Sequence, residues 1–177
     1  YEVLLVTNFR SVNEYELDES VKRLSLDEEE QKQNLIIKNI RSCIQLRRVY
    51  KAHQPDLVIS FMGENNFRSL LSTNFTKIKT IISVRNDPQK EYRRPIDQLA
   101  SKLLYPLADG TVFQTKDAQN YFSAEIQSKS RVILNQVDKK FYEIAPKENK
   151  SGIISVGRLS KQKNQRFTTL VYGKNII

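Results

Sequence analysis

Short apolar runs separated by amphipathic stretches recur along the chain, and their order reads strand, helix, strand, helix. Val3 to Thr7 is an unbroken run of the kind buried on both faces in a parallel sheet. Residues 8 to 30 read as polar and irregular, closing on Asp27-Glu28-Glu29-Glu30, acids that favour the start of a helix. The helix expected from about Gln31 to His53 sets Ile36, Ile40, Cys43, Leu46 and Tyr50 three or four apart, a stripe made for burial. Pro55 ends it, and Leu57 to Ser60 is the next strand. A loop over 62–66 leads to a short helix, Phe67 to Thr73, and then to a third strand, Thr80 to Val84. Residues 91 to 108 read as one helix with Ile96, Leu99, Leu103 and Leu107 on one side. Gly110 to Gln114 is a fourth strand, Lys116 to Glu125 a helix started by Thr115, and Arg131 to Leu134 a fifth strand.

This alternation predicts an α/β fold: a doubly wound, Rossmann-like parallel sheet with helices on both faces, occupying residues 1–142. Glu143 to Ser151 carries charge and a proline but no apolar period, and reads as a linker. Residues 152–177 then supply one more strand, Ile153 to Val156, and the start of a second, incomplete unit.

Composition narrows the classes. A 39% hydrophobic, 28% charged chain of 177 residues is that of a folded domain with a substantial core. The 29 basic against 20 acidic residues give +9, compatible with phosphorylated ligands, an anionic membrane or nucleic acid. Cys43 is the single cysteine and can form no internal disulfide, so the sequence suits a reducing compartment. No run approaches the roughly 20 apolar residues of a membrane span. With one histidine, no Ser/His/Asp or Cys/His set can be assembled, no metal site is expected, and neither a Walker A loop nor G-x-G-x-x-G occurs.

In an open parallel sheet, ligands gather at the carboxyl ends of the strands. The polar residues there are Asn8; Glu64 and Asn65; Arg85, Asn86 and Asp87; and Asn135. Ordinary turn chemistry accounts equally well for Asn86-Asp87-Pro88, and Arg85 could simply pair with Asp87. Lys90, Arg93 and Arg94 beside them make a basic cluster able to meet an anionic membrane. After Val156 come Gly157, where a backbone can approach a ligand closely, then Arg158 and Lys163. The arginine fork and the lysine point charge both suit phosphate.

Gly152 to Asn164 resembles the start of the C-terminal domain of GT-B glycosyltransferases of family 4, in which V-G-R-L and a following lysine hold the donor diphosphate. Pro55 to Ser60, Ser83 to Pro88, Ala108 to Thr115 and Val132 to Asp138 are similar to successive landmarks of that family's N-terminal domain. The Arg-Asn-Asp-Pro element is similar to one in bacterial capsule and cell-surface polysaccharide transferases. Gln136 departs from the pattern, which has proline or glycine after the asparagine.

The resemblance implies a truncated transferase lacking its first strand and most of its donor half, and inactive alone. Its substrates would be a nucleotide sugar, held by Gly157, Arg158 and Lys163, and a glycan or lipid-linked glycan acceptor, met by Glu64, Asn65, Arg85, Asn86, Asp87 and Asn135. The resemblance implies no metal or other cofactor, and assigns no catalytic residue. It implies a cytoplasmic protein, peripheral on the inner face of the membrane. The strand Ile153 to Val156 would lack neighbours and is expected to pair with a second chain as a dimer. The rival from another class is a non-catalytic basic α/β module binding nucleic acid. The tyrosines and phenylalanines argue against it, because they fall in strands and helix stripes, not beside basic runs.

Overall fold

The structure, a computed structural model, describes residues 1–9, 16–27, 35–137 and 139–142. The linker expected over 143–151 and the strand expected at Ile153 to Val156 lie outside them. The chain divides into two compact units, Tyr1–Asn135 and Gln136–Ile177. In the second, the described part amounts to a 3-10 turn, Lys139–Phe141, and its flanks.

The first unit is α/β with parallel strands flanked by helices, a Rossmann-like arrangement. Strand β1 (Val3–Thr7) pairs in parallel with β2 (Val21–Ser25), Val3 opposite Val21 and Thr7 opposite Ser25. Helix α1 (Leu35–His53) leads to a four-stranded parallel sheet in sequential order. Its strands are β3 (Leu57–Phe61), β4 (Lys79–Val84), β5 (Gly110–Phe113) and β6 (Ser130–Val132). Between them run α2 (Gly63–Thr73), α3 (Pro88–Glu91), α4 (Pro95–Leu104), a 3-10 turn at Tyr105–Leu107, α5 (Lys116–Asn120) and α6 (Ala124–Ser128).

Several boundaries differ from the sequence reading. β2 lies in the stretch expected to be irregular: Val21-Lys22-Arg23-Leu24-Ser25 holds only two apolar residues, and its order comes from the ladder to β1. α2 starts at Gly63, inside the expected loop, because a carboxylate from α3 receives its first N–H. The single helix expected over 91–108 is three pieces, since Pro95 opens a new helix and Pro106 lies in the turn that ends it. Lys116 to Glu125 is likewise two short helices. Thr115 does cap the first, accepting from the Ala118 N–H at 3.1 Å.

The stripe on α1 is buried only in its second half. Leu46 and Tyr50 are covered, while Ile36 and Ile40 are 69% and 58% exposed and Cys43 is half-buried. The reason is where α1 meets α2. Ser72 Oγ donates to the Cys43 carbonyl at 3.2 Å and Arg47 to the Leu71 carbonyl at 3.1 Å, contacts on the middle of the helix.

The core lies on one face of the four-stranded sheet. Ile82, Val84 and Phe113 point there, under Leu70, Tyr92, Tyr105, Phe122 and Ile126. Phe122 joins three aromatic rings, stacked on Tyr105 with centroids 5.6 Å apart and tilted against Phe113 with centroids 5.1 Å apart. Among these apolar groups sits Asn66, fully buried at the first turns of α2. Its amide donates to the Ser83 carbonyl at 3.0 Å and to the Tyr105 hydroxyl at 3.4 Å, and its oxygen bonds the Ser60 hydroxyl. Tyr105 in turn bonds Tyr92 at 2.6 Å.

Replacing Asn66 with alanine deprives the buried Ser60 hydroxyl of this partner and takes one hydrogen bond each from the Ser83 carbonyl, which keeps the Met62 N–H, and from the Tyr105 hydroxyl, which keeps Tyr92. We expect a loss of about 1–3 kcal/mol, read as a lower denaturant midpoint at unchanged m. Burial pushes the Tyr105 phenol up to about 12, and burial with repulsion from Tyr105 pushes Tyr92 up further. Below about pH 10 both phenols are protonated in folded and unfolded chains alike and pH has no leverage. Above it the unfolded chain ionises first, so stability falls as pH rises towards the folded values. Ultraviolet titration should show two tyrosines ionising only as the fold is lost; two ordinary titrations near pH 10 in folded protein would contradict the burial.

Candidate functional site

Polar side chains collect where the strands end, in two groups. The first is centred on Arg68, the one charged residue buried among the described residues, at 2% exposed. Its helix delivers Glu64 one turn earlier, and Glu64 Oε1 accepts from Nη2 at 2.7 Å. Asn39 on α1 receives Nε and Nη2 through Oδ1 at 2.9 and 2.7 Å. Nη1 reaches Asn65 Oδ1 at 3.4 Å and Asn8 Oδ1, just past β1, at 3.5 Å, while Asn8 Nδ2 donates to Asn65 Oδ1 at 3.4 Å. A buried guanidinium is tolerable only with its donors satisfied, and four residues from two helices and one loop do that. Glu64, the partner acid, is 54% exposed on its side chain, so one carboxylate oxygen remains available to solvent or ligand.

The second group joins the ends of β4, β5 and β6. Arg85 Nη2 donates to Asn135 Oδ1 at 2.6 Å. With its amide oxygen towards the guanidinium, Gln114 accepts from Arg85 Nε and Nη2 at 3.1 Å and donates to the Arg85 carbonyl at 2.9 Å. The guanidinium carbon also lies 5.9 Å from the Phe61 ring centre, within cation–π range. These groups hold a planar donor fork in one orientation at the sheet edge.

The turn between the groups is under strain. Met62 has φ 74° and ψ 145°, a conformation that L residues with side chains rarely adopt. Gly63 follows, and a Cβ there would lie 2.9 Å from Glu91 Oε1 and 3.0 Å from Tyr92 Cε1, so a larger residue would have to push the Glu91 carboxylate aside. Its N–H donates to Glu91 Oε1 at 2.8 Å. The strain throws the chain from β3 into α2 within two residues, which puts Glu64 and Asn65 at the strand end.

Of the residues expected from sequence, Glu64 and Asn65 come together, and so do Arg85 and Asn135, in separate groups. Asp87 is used structurally: it caps α3, accepting from the Gln89 N–H at 3.0 Å, with Lys90 Nζ 3.5 Å away. Arg85 turns to Asn135 and Gln114, not to Asp87. Asn86 is half-buried and has no hydrogen-bond partner among the described residues. Gly157, Arg158 and Lys163 lie outside the described residues. Arg68, Asn39 and Gln114 escaped the sequence reading; the one signal for Arg68 was its place four residues after Glu64 on a helix.

No three His, Cys, Asp or Glu side chains among the described residues converge as a metal set. A hollow of about 120 Å³, lined by Leu70, Thr73, Phe75, Ile78 and Leu107 among others, opens beside Thr80 and Asp109. It lies at the amino ends of β4 and β5, the wrong end of a parallel sheet for a ligand. Relieving the turn is a direct check on its strain: Met62→Gly should raise stability by about 1 kcal/mol, after the entropy that glycine costs the folded state. A lower thermal midpoint for that variant would mean the Met62 conformation is unstrained. No protein-family model matches this chain, and no curated protein matches it at a significant level.

Proposed function

We propose that this chain is part of a GT-B glycosyltransferase of family 4 that moves a sugar from a nucleotide diphosphate donor to a lipid-linked glycan in surface polysaccharide synthesis. The observation that carries the reading is positional. Ligand-competent side chains stand at the carboxyl ends of β1, β3, β4, β5 and β6, and the sequence that follows them holds Gly157, Arg158 and Lys163 in the spacing of a diphosphate site.

The chemical difficulty in such a transfer is negative charge building on the departing diphosphate. Arg158 and Lys163 would oppose it as fixed charges, the kind of preorganised electrostatics that supplies the largest share of many rate enhancements. Glycine at 157 would let the backbone come close to the phosphates. On the acceptor side, Arg85 is held by Asn135 and Gln114, and Glu64 by Arg68, so both present defined geometry to hydroxyl groups. Asn86, with its hydrogen-bonding capacity unspent among the described residues, is the freest acceptor contact. The enzyme would act at the cytoplasmic face of a membrane, where a lipid-linked acceptor is presented.

The test uses a polypeptide that carries this sequence together with a donor-binding half. Arg158→Ala and Lys163→Ala should each lower kcat by about 10²–10³-fold with the nucleotide sugar still bound. Product is followed by mass spectrometry. Full rates in both variants would remove the diphosphate assignment. Turnover by residues 1–177 alone would contradict the expected need for a donor half.

A further inference from the structure

α4 is amphipathic on a core-facing side and bears a second apolar row that the fold does not use. Ser101, Tyr105 and Ala108 are buried, with Leu104 packed against the core. Ile96, Leu99, Leu103 and Leu107 are 66%, 55%, 63% and 50% exposed. Their spacing of three, four and four makes one continuous stripe along α4 and the turn that follows it. Single exposed leucines are ordinary; a contiguous row is the mark of an interaction surface.

We propose that this stripe docks α4 onto an anionic lipid bilayer. The charges around it select that occupant. Asp97 is the one acid of α4, and Arg94 already binds it bidentately at 2.7 and 2.9 Å. Arg93 and Lys102 are exposed, with no acidic partner among the described residues, and on the helical wheel Lys102 lies beside Leu99. Apolar side chains would enter the acyl boundary while Arg93 and Lys102 reach phosphate groups, the division of labour of an interfacial helix. No helix among the described residues is long and apolar enough to cross a membrane, so this contact is superficial. A second copy of the chain is disfavoured as occupant, because pairing α4 with α4 would bring the same cations together.

Two other exposed apolar rows lack this pattern. Leu57, Ile59 and Phe61 lie on a sheet face, and their nearby cation, Arg85, is committed to Phe61, Gln114 and Asn135. The isoleucines opening α1 adjoin residues outside the described part.

The inference rests on the transferase reading only for why a bilayer should be near; the surface itself is independent of it. Flotation of the 177-residue protein with phosphatidylcholine vesicles, with and without about a third phosphatidylglycerol, tests it without sugar or nucleotide. Binding is expected to the anionic vesicles and to fall with salt. Leu99→Glu with Leu103→Glu should weaken it by about tenfold or more, as should Arg93→Glu with Lys102→Glu. Ile59→Glu on the sheet face should leave it unchanged. The mutated side chains are exposed, and circular dichroism would confirm that each variant is folded. Failure to bind anionic vesicles, or equal binding by the Leu99/Leu103 variant, overturns the proposal. So does a dimer, seen by light scattering, that Leu99→Glu dissolves, because the stripe would then be covered by a second copy. Vesicle binding here, with no sugar transfer by the polypeptide that also carries a donor-binding half, would sink the transferase reading and leave this one standing.

Discussion

One buried amide organises the first unit. Asn66 has no exposure, and its carboxamide is shared among a strand residue on β3, a carbonyl on β4 and the hydroxyl of Tyr105. In a core of aromatic rings, a polar group without partners would cost more than the fold can spare. The network therefore admits one placement of α2 over the sheet. It also fixes Tyr105 and, through it, Tyr92, so the turn after α4 and the end of α3 are set by the same interaction.

Everything at the carboxyl edge inherits that placement. With α2 pinned, the chain has two residues in which to turn from β3 into the helix, and Met62 takes a positive φ as a result. Gly63 can then lie against Glu91 and Tyr92. Glu64 and Asn65 emerge at the strand end, and Arg68, one turn on, is drawn under them into a nest of asparagines. The second group, around Arg85, depends on the register of β4, β5 and β6, which brings Gln114 and Asn135 to one guanidinium. Rigid backbone carries both groups, which fixes the geometry of their side chains.

The same packing explains what is left outside. α4 and the turn after it face Ser101, Tyr105 and Ala108 inwards at the expense of Ile96, Leu99 and Leu103. A helix with apolar residues on two sides can bury only one of them against a single sheet. The other becomes surface, and the cations beside it give that surface a preference.

The alternation of apolar runs with amphipathic stretches was enough to read a parallel α/β fold, the order of five of its strands from Val3 to Val132, and the polar character of the strand ends. Each of those is a local property, set by periodicities of two and 3.6 and by proline and glycine. Glu64, Asn65, Arg85 and Asn135 were legible for the same reason, since they directly follow strands. β2 was not, because a run with only Val21 and Leu24 apolar becomes a strand through its neighbour. Nor was the fate of the α1 and α4 stripes legible, since spacing defines a face but not what meets it. Arg68 and Gln114 show the remaining limit. Their roles arise from partners tens of residues away, and only the packing of α2 on the sheet and the register of the strands bring those partners within bonding distance.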